Sequence, residues 1–159
     1  MININSYRVG VGILLFNEKK KIFVGKRIDF KSEAWQMPQG GITKGEKLKD
    51  AAYRELYEET GIKKAKIIFE SKKWYKYNIP KYIKKKLWKG KYLGQKQKWF
   101  LMKFKGDEKK DINLNIHKAE FCDWKWVNIE DLEKIIVPFK KKMYKEIVKE
   151  FKNKIKKIT

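Results

Sequence analysis

The chain of 159 residues is long enough for one hydrophobic core, and its 42% hydrophobic content, with 14% aromatic residues, excludes a disordered protein. Its 41 Lys and Arg residues face 19 Asp and Glu residues, which gives a formal net charge of +22. This charge favours a phosphate-rich or nucleic-acid partner, but an AT-rich genome also enriches lysine, so both explanations stay open. The start of the chain lacks the pattern of a signal peptide, and no apolar run reaches the roughly 20 residues of a membrane span. We expect one cytoplasmic domain over residues 1–159.

The first predicted elements are two strands at residues 7–16 and 21–27, which a short turn joins into an antiparallel hairpin. A helix is predicted over residues 46–60. Aromatic and β-branched residues then predict further strands over four segments, at residues 65–71, 73–79, 97–104 and 122–128. This alternation predicts an α+β protein in which helices pack against a mixed sheet.

The remaining segments are predicted to be a basic loop and two helices. The loop covers residues 80–94, and it is one that a ligand could order. A helix near residues 129–136 precedes a longer one at about 139–157, whose apolar residues recur at helical spacing as Met143, Ile147, Val148 and Phe151. We expect this last helix to pack on the body of the protein, with a membrane-surface helix as the competing interpretation.

Several conspicuous residues are expected to be structural. The single cysteine, Cys122, cannot form an internal disulfide and is expected to be small and half-buried. The single histidine, His117, has no partner motif and is expected on a loop surface. The six tryptophans are expected to lie mostly in the core.

Three glutamates crowd one turn of the helix at residues 46–60. Glu55 and Glu59 fall on the same stripe as the apolar residues of this helix, with Glu58 at its border, although like charges at i,i+4 repel. Gly61 predicts the helix end, where the negative end of the helix dipole adds to the repulsion. Oxygen ligands without Cys or His favour a hard divalent cation, Mg²⁺ or Mn²⁺, over zinc.

The surrounding stretch, residues 40–62, resembles the signature of the Nudix hydrolases. Gly40, Glu46 and the run Arg54-Glu55-Leu56-Tyr57-Glu58-Glu59-Thr60-Gly61-Ile62 match its fixed positions. The resemblance implies an α/β/α sandwich, a loop-helix-loop metal site and hydrolysis of a nucleoside diphosphate linked to another group. It implies that Glu55, Glu58 and Glu59 bind metal together with Gly40, and that Arg54 supports catalysis by pairing with Glu46.

Four flanking segments, at residues 33–41, 94–100, 120–127 and 138–144, are similar to those of the bacterial RNA pyrophosphohydrolases, also described as dinucleoside polyphosphate hydrolases. That family removes pyrophosphate from 5′-triphosphate RNA, which leaves a monophosphate and promotes mRNA decay. The similarity makes Glu120 a fourth metal ligand or the base that activates water. Lysines replace arginines at Lys140 and Lys141, which removes the bidentate fork, and Val9-Gly10 replaces a common Pro-Asn.

Substrate contacts are expected from polar and aromatic residues of these flanks. Gln95 and Gln97 face the same side of an extended segment, and Phe139 beside Lys140 offers a stacking surface next to a cation, with core packing as its alternative. The expected substrate-binding residues are Arg8, Arg27, Gln39, Gln95, Gln97, Phe139 and Lys140.

Two other functions remain open at this stage. One is an enzyme whose main substrates are diadenosine polyphosphates or free nucleotides. The other is a non-catalytic RNA-binding module, which the complete set of glutamates argues against. The sequence identifies no activating protein and leaves the number of metal ions open.

Overall fold

The computed structural model describes residues 6–28, 34–84 and 86–158. Its eight strands are β1 (Tyr7–Phe16), β2 (Ile22–Arg27), β3 (Trp35–Gln36), β4 (Gln39–Gly41), β5 (Ala65–Glu70), β6 (Tyr75–Asn78), β7 (Gly94–Phe104) and β8 (Phe121–Val127). Its α-helices are α1 (Leu48–Thr60), α2 (Lys81–Lys84), α3 (Glu108–Asp111), α4 (Leu132–Ile135) and α5 (Lys141–Lys156). Short 3₁₀ turns occur at Trp88–Gly90, Ile129–Asp131 and Pro138–Lys140.

The strands form one mixed sheet around a parallel central pair. β1 runs parallel to β7 over ten residue pairs, from Tyr7 opposite Gly94 to Phe16 opposite Lys103. β2 pairs with β3 and β8, while the two halves of β7 pair with β6 and β5. β4 pairs antiparallel with β1, with Val11 opposite Gly40. This last pairing fixes the start of the Nudix-like segment against the central strand.

Each face of the sheet is covered by one long helix, because the side chains of β1 and β7 alternate between the faces. On one face, Val11, Ile13 and Leu15 pack with Ala51, Ala52 and Leu56 of α1. On the other face, Leu14, Phe16, Trp99 and Leu101 pack with α5 through Met143, Tyr144, Ile147, Phe151 and Ile155. The predicted α/β/α sandwich is therefore confirmed, and so is the packing of the last helix on the body. Among the described residues, no helix has the length and apolar character that a membrane crossing requires.

The predicted hairpin, the four further strands and the long helices are all present, with shifts of one to three residues at several ends. The strands β3 and β4 were not predicted, because two or three residues are too few to show a period. The prediction of a loop at residues 80–94 was wrong where α2 and the Trp88–Gly90 turn form, with Ile83, Leu87 and Trp88 packed against the core. Lys85 lies outside the described residues.

Two expectations about burial need correction. The first concerns detail only: of the six tryptophans, all within the described ranges, Trp99 is fully buried and Trp35, Trp88, Trp124 and Trp126 are partly buried against the core, so most belong to the core as expected, whereas Trp74 does not. Cys122 is exposed rather than half-buried, because it faces outward from β8. His117 is exposed, as expected.

Candidate active site

A pocket of about 380 Å³ opens where α1 meets β4 and the amino-terminal ends of β1 and β7. One part of its lining is polar and holds Arg8, Arg27, Gln36, Gln39, Glu55, Glu59, Gln95, Glu120 and Lys140. The other part is apolar or aromatic and holds Tyr77, Ile79, Leu87, Trp88 and Phe139. The pocket therefore joins cations, carboxylates and aromatic rings in one space.

Glu59 is the buried carboxylate of this pocket. Its exposed fraction is 6%, and its Oε2 atom has no hydrogen-bond partner among the residues that the structure describes. Burial raises the pKa of Glu59 well above its usual value, and the negative charges of Glu55 and Glu120 raise it further. A backbone hydrogen bond with Gln39 acts in the opposite direction. A carboxylate in this environment is stabilised by a cation.

Glu55 lies against β4 because residue 40 is a glycine. A methyl group added at Gly40 would come within 2.0 Å of the Glu55 carboxyl carbon. Burial raises the pKa of Glu55, while the hydrogen bond and charge of Arg54 lower it. Gly40 thus allows the helix carboxylates to approach the backbone of the loop.

Arg54 ties the loop before α1 to the glutamates of α1. Its Nε and Nη2 atoms donate to the two carboxylate oxygens of Glu46, at 2.8 and 2.9 Å, and Nη2 also donates to the carbonyl of Gly41. Its Nη1 atom donates to Glu55 at 2.8 Å and to Glu58 at 3.2 Å. The expected pairing of Arg54 with Glu46 is present, and it lowers the pKa of Glu46 to about 2.

The oxygen atoms present fit a hard divalent cation. Within the described ranges, no three His, Cys, Asp or Glu side chains are arranged closely enough to form a ready cation site. The hydrogen bonds of Arg54 explain this arrangement, because they direct the carboxylates of Glu55 and Glu58 towards the guanidinium group. The feature that fits a metal ion is the buried Oε2 atom of Glu59, which no described residue hydrogen-bonds.

Glu120 reaches the same pocket from outside α1. It lies directly before β8, and its backbone carbonyl accepts a hydrogen bond from the amide of Ile28 at 3.1 Å. Its side chain is exposed, and its charge contributes to the raised pKa of Glu59. The structure therefore brings Glu120 to Glu55 and Glu59, while Glu58 is held beside them through Arg54.

The two arginines of the first hairpin both line the pocket. The guanidinium carbon of Arg8 lies 5.2 Å from the centre of the Trp88 ring. A methyl group at Gly41 would approach Arg8 Nη2 to 2.2 Å, so the glycine lets the guanidinium group lie directly against the backbone of β4. Arg27 adds a second positive charge from the end of β2. These positions place both arginines within the same space as the carboxylates.

Gln95 and Gln97 lie on the same face of β7, as predicted, but only Gln95 lines the pocket. Gln97 is fully buried, and its Nε2 atom donates to Gln95 Oε1 at 2.7 Å. Its own Oε1 atom accepts from Trp99 at 3.2 Å. Gln97 therefore lies behind Gln95 and orients it, instead of facing a substrate.

The Phe139–Lys140 pair also differs from its expected form. Phe139 is half-buried, lines the pocket and lies 5.9 Å from the ring of Tyr77. Lys140 is 2% exposed, and its Nζ atom lies 3.3 Å from the side-chain oxygens of both Gln36 and Gln39. Instead of the expected surface cation, Lys140 is a buried one that holds these two glutamines at the floor of the pocket.

Comparison with known proteins identifies the family. Residues 6–147 match the NUDIX domain. The chain belongs to the Nudix family. Two relatives named RNA pyrophosphohydrolase, from Rickettsia bellii and Rickettsia typhi, are each 52% identical to this chain over 149 residues, covering 94% of it and 92% of the relative. The resemblance that the sequence suggested is thus confirmed.

Solved structures agree on the fold. An Escherichia coli dihydroneopterin triphosphate pyrophosphohydrolase superposes with a TM-score of 0.70 at 17% identity, over 91% of this chain and 98% of that one. A Caenorhabditis elegans Ap4A hydrolase, solved as a binary complex, gives 0.65 at 21% identity, over 92% and 98%. At these identities the likeness concerns the Nudix fold alone.

Tyr77, Trp88 and Gln36 are among the residues of this Nudix pocket that were not identified as site residues from the sequence. Tyr77 could have been found, because Tyr75 and Tyr77 alternate with exposed residues in β6 and so share a face. The position of Trp88 depends on a turn in which Trp88, Lys89 and Gly90 are all left-handed. Of these three residues, only the glycine indicates such a conformation in the sequence. Gln36 belongs to a two-residue strand, and no local sequence pattern marks it.

Proposed function

We propose that this chain is an RNA pyrophosphohydrolase. It would remove pyrophosphate from the 5′-triphosphate end of RNA in the cytoplasm, leave a 5′-monophosphate and promote mRNA decay. The observation that carries the proposal is the pocket that brings Glu59, one of whose oxygens has no hydrogen-bond partner in the described part of the chain, together with Glu55, Glu120, Arg8 and Arg27. The names of the Rickettsia relatives support RNA as the substrate.

A divalent cation, Mg²⁺ or alternatively Mn²⁺, would be held by Glu55, Glu58, Glu59 and Glu120 together with the backbone of Gly40. When bound, it neutralises the polyphosphate and lowers the pKa of the attacking water. Nudix hydrolases in general need such an ion. The exclusively oxygen-based donor set supports a hard metal here.

The protein's own side chains divide the remaining tasks. Arg8 and Arg27 would bind phosphate oxygens of the substrate, and their charge would stabilise the transferred phosphoryl group. Glu120 is exposed at the pocket and is our candidate for the base that accepts the proton of the attacking water. Water oxygen bonds to phosphorus, and the bond to the leaving pyrophosphate breaks. Arg54 would keep Glu55 and Glu58 in position.

The first nucleotides of the RNA would lie against the aromatic part of the pocket. Phe139 and Tyr77 offer rings at its wall, and Gln39 and Gln95 offer amides that can bind phosphate oxygens or base edges. Because Lys140 is buried and holds Gln39, we assign Lys140 an indirect part in substrate binding.

A dinucleoside polyphosphate hydrolase is the second candidate. The observation in its favour is that Phe139 and Trp88 line the same pocket, so that a base of a dinucleoside polyphosphate could stack on either ring. A non-catalytic RNA-binding module is disfavoured, because it would have no use for the carboxylates of Glu55, Glu59 and Glu120 that line the pocket.

Product analysis tests the proposal directly. Purified protein with Mg²⁺ is incubated with RNA labelled at its first phosphate, and we expect monophosphate RNA and pyrophosphate to appear together. Metal chelation should stop the reaction. Intact triphosphate RNA after incubation with protein whose folding and metal binding have been verified would refute the proposal.

A further inference from the structure

Part of the sheet that α1 leaves uncovered carries lysines and aromatic rings. α1 packs on this face from Val11 of β1 and Phe100 of β7 onward. The residues of this face that α1 does not cover belong to the first part of β1, the first part of β7, strand β6 and the segment just before β6. We define the open sheet face by its residues Tyr7, Val9, Trp74, Lys76, Lys96 and Lys98.

The register brings these residues side by side. Lys96 of β7 lies opposite both Val9 of β1 and Lys76 of β6. The hydroxyl of Tyr7 donates to the side-chain oxygen of Asn78 at 2.8 Å, which connects the first strand to β6 across β7. The face is therefore a continuous surface over three strands.

Each aromatic ring of the open sheet face is paired with an amine. Lys76 Nζ lies 5.1 Å from the ring centre of Tyr7, and Lys96 Nζ lies 5.0 Å from that of Trp74. Lys98 Nζ lies 5.8 Å from the ring centre of Trp74, but this side chain is mostly buried and pairs with Glu70 at 3.8 Å, so Lys76 and Lys96 carry the available charge of the face. Rings that stack bases and neighbouring cations that contact phosphates are the combination found in proteins that bind single strands.

A groove of about 650 Å³ adjoins both this face and Arg8 of the catalytic pocket. Its lining includes Tyr7 and Val9 of the face, together with Ile42, Lys91 and Tyr92. Arg8 lines both the groove and the catalytic pocket. Because Tyr7 and Arg8 are consecutive in β1, their side chains lie on opposite faces of the sheet, so RNA bound at Arg8 would reach the open sheet face by passing through this groove around the amino-terminal end of β1.

We propose that the open sheet face binds the single-stranded body of the RNA beyond the nucleotides held in the catalytic pocket. This inference rests on the proposed function, because it takes RNA as the substrate. Charge complementarity selects the occupant: Lys76 and Lys96 present positive charge to phosphates, while Tyr7 and Trp74 present rings to bases. It also gives part of the +22 net charge a specific use.

The test uses 15-nucleotide single-stranded RNA with a 5′-hydroxyl end, whose binding is followed by fluorescence anisotropy and needs no hydrolysis. We expect the double variant Lys76→Gln/Lys96→Gln to bind about five- to tenfold more weakly at low salt. The slope of log affinity against log salt should become shallower by about 1.4, since each phosphate contact on a single strand contributes about 0.7. Trp74→Ala should weaken binding at least about fivefold, and Trp74→Phe should retain most of it.

The matched control is Lys109→Gln/Lys110→Gln, which removes the same charge from α3 at the opposite end of β7. We expect its affinity to stay within about twofold of the wild type. Equal losses in the two double variants would overturn the inference, because general charge attraction would then explain the binding. A self-association that Lys76→Gln/Lys96→Gln abolishes without affecting RNA binding would overturn it in favour of a second copy of the chain.

A hydrolysis assay separates this inference from the proposed function. For wild type, kcat/KM should be higher for 15-nucleotide than for dinucleotide triphosphate RNA, and this ratio should fall in Lys76→Gln/Lys96→Gln. Equal values for both lengths in both proteins would overturn the inference and leave the function standing. If no triphosphate RNA is hydrolysed, the proposed function fails, and with it the role of the face in delivering substrate.

Discussion

Glu59 combines burial, two negative neighbours and an oxygen atom without a hydrogen-bond partner in the described part of the chain. Such an atom costs folding free energy unless a ligand satisfies it. Natural proteins retain costs of this kind where function requires them. The charged Glu59 carboxylate is therefore unfavourable in the metal-free protein and favourable when a cation is bound beside it.

Replacing Glu59 with Gln separates its effect on stability from its effect on catalysis. We expect kcat to fall at least about 100-fold, in line with the loss of one preorganised electrostatic group. The melting temperature of the metal-free protein should rise, because the buried charge and its repulsion from Glu55 are removed. Mg²⁺ should raise the melting temperature of the wild type more than that of the variant. Glu18→Gln, on the exposed turn after β1, is the control, and near-native turnover in Glu59→Gln would remove this residue from the mechanism.

Glu120 is distinguished from the helix glutamates by its exposure. If Glu120 accepts a proton, Glu120→Gln should lower kcat far more than it changes substrate binding, and a higher pH should restore part of the rate as hydroxide replaces the base. Steady-state kinetics across pH measure this. Parallel losses of metal affinity and kcat would make Glu120 a metal ligand instead, and no change in either would leave it as a surface charge.

At the scale of elements, the Nudix loop and α1 are joined by Arg54 and Glu46. Glu46 also accepts a hydrogen bond from the backbone amide of Thr43 at 3.0 Å. This fixes residues 43–46 to the side of α1 that carries Glu55 and Glu58. The loop is thus ordered by the same guanidinium group that orients the glutamates.

The pH dependence of stability in Glu46→Gln tests this connection. The pKa of Glu46 in the folded protein is about 2, below its value of about 4.3 in an unfolded chain. The ion pair therefore stabilises the fold fully above about pH 4.3, and this contribution is lost as pH falls towards 2. We expect the variant to be less stable by about 1 kcal/mol at pH 7, a value suited to a partly exposed pair. Melting curves should show the difference shrinking between pH 5 and pH 2, and a constant difference would contradict the account.

The turn at Trp88–Gly90 is the other element that shapes the pocket. Trp88 and Lys89 have φ values of 48° and 57°, which L-residues adopt at a cost. The turn places the Trp88 ring against Arg8 and 5.9 Å from Tyr92. We infer that Trp88 positions Arg8 for the substrate.

Trp88→Ala should raise KM for triphosphate RNA about fivefold, since a cation–π contact contributes about 1 kcal/mol, while Trp88→Phe should restore most of the affinity. A double-mutant cycle with Arg8→Ala should show that the two losses are not additive. Additive losses would instead mean that Trp88 acts on the fold or on the base independently of Arg8.

The elements differ in how far the sequence predicts them. β1, β2 and α1 were predictable, because their 10, 6 and 13 residues carry a clear apolar pattern and Gly61 marks a left-handed helix end, with φ of 76°. β4 was not, since it exists only through its pairing with β1. The same contrast holds in the site: Glu55, Glu58 and Glu59 follow from their helical spacing, whereas Gln36 and the burial of Lys140 depend on contacts more than 100 residues apart in sequence.

In the whole molecule, the two ends of the sheet have different roles. Towards Phe16 and Phe104, both faces are covered by helices and the sheet serves the core. Towards Tyr7 and Gly94, one face forms the catalytic pocket and the other is the open sheet face. At this end, both faces of the sheet therefore carry positively charged side chains that are suited to binding phosphates.

We propose that this pocket hydrolyses 5′-triphosphate RNA in preference to dinucleoside polyphosphates. The most direct measurement offers equal concentrations of a 5′-triphosphate RNA and diadenosine tetraphosphate with Mg²⁺ and follows both products over time, with Glu59→Gln as the inactive control. We predict that monophosphate RNA and pyrophosphate form first and that the variant forms neither. Consumption of the diadenosine compound while the triphosphate RNA remains intact would contradict the account and identify a dinucleoside polyphosphate hydrolase.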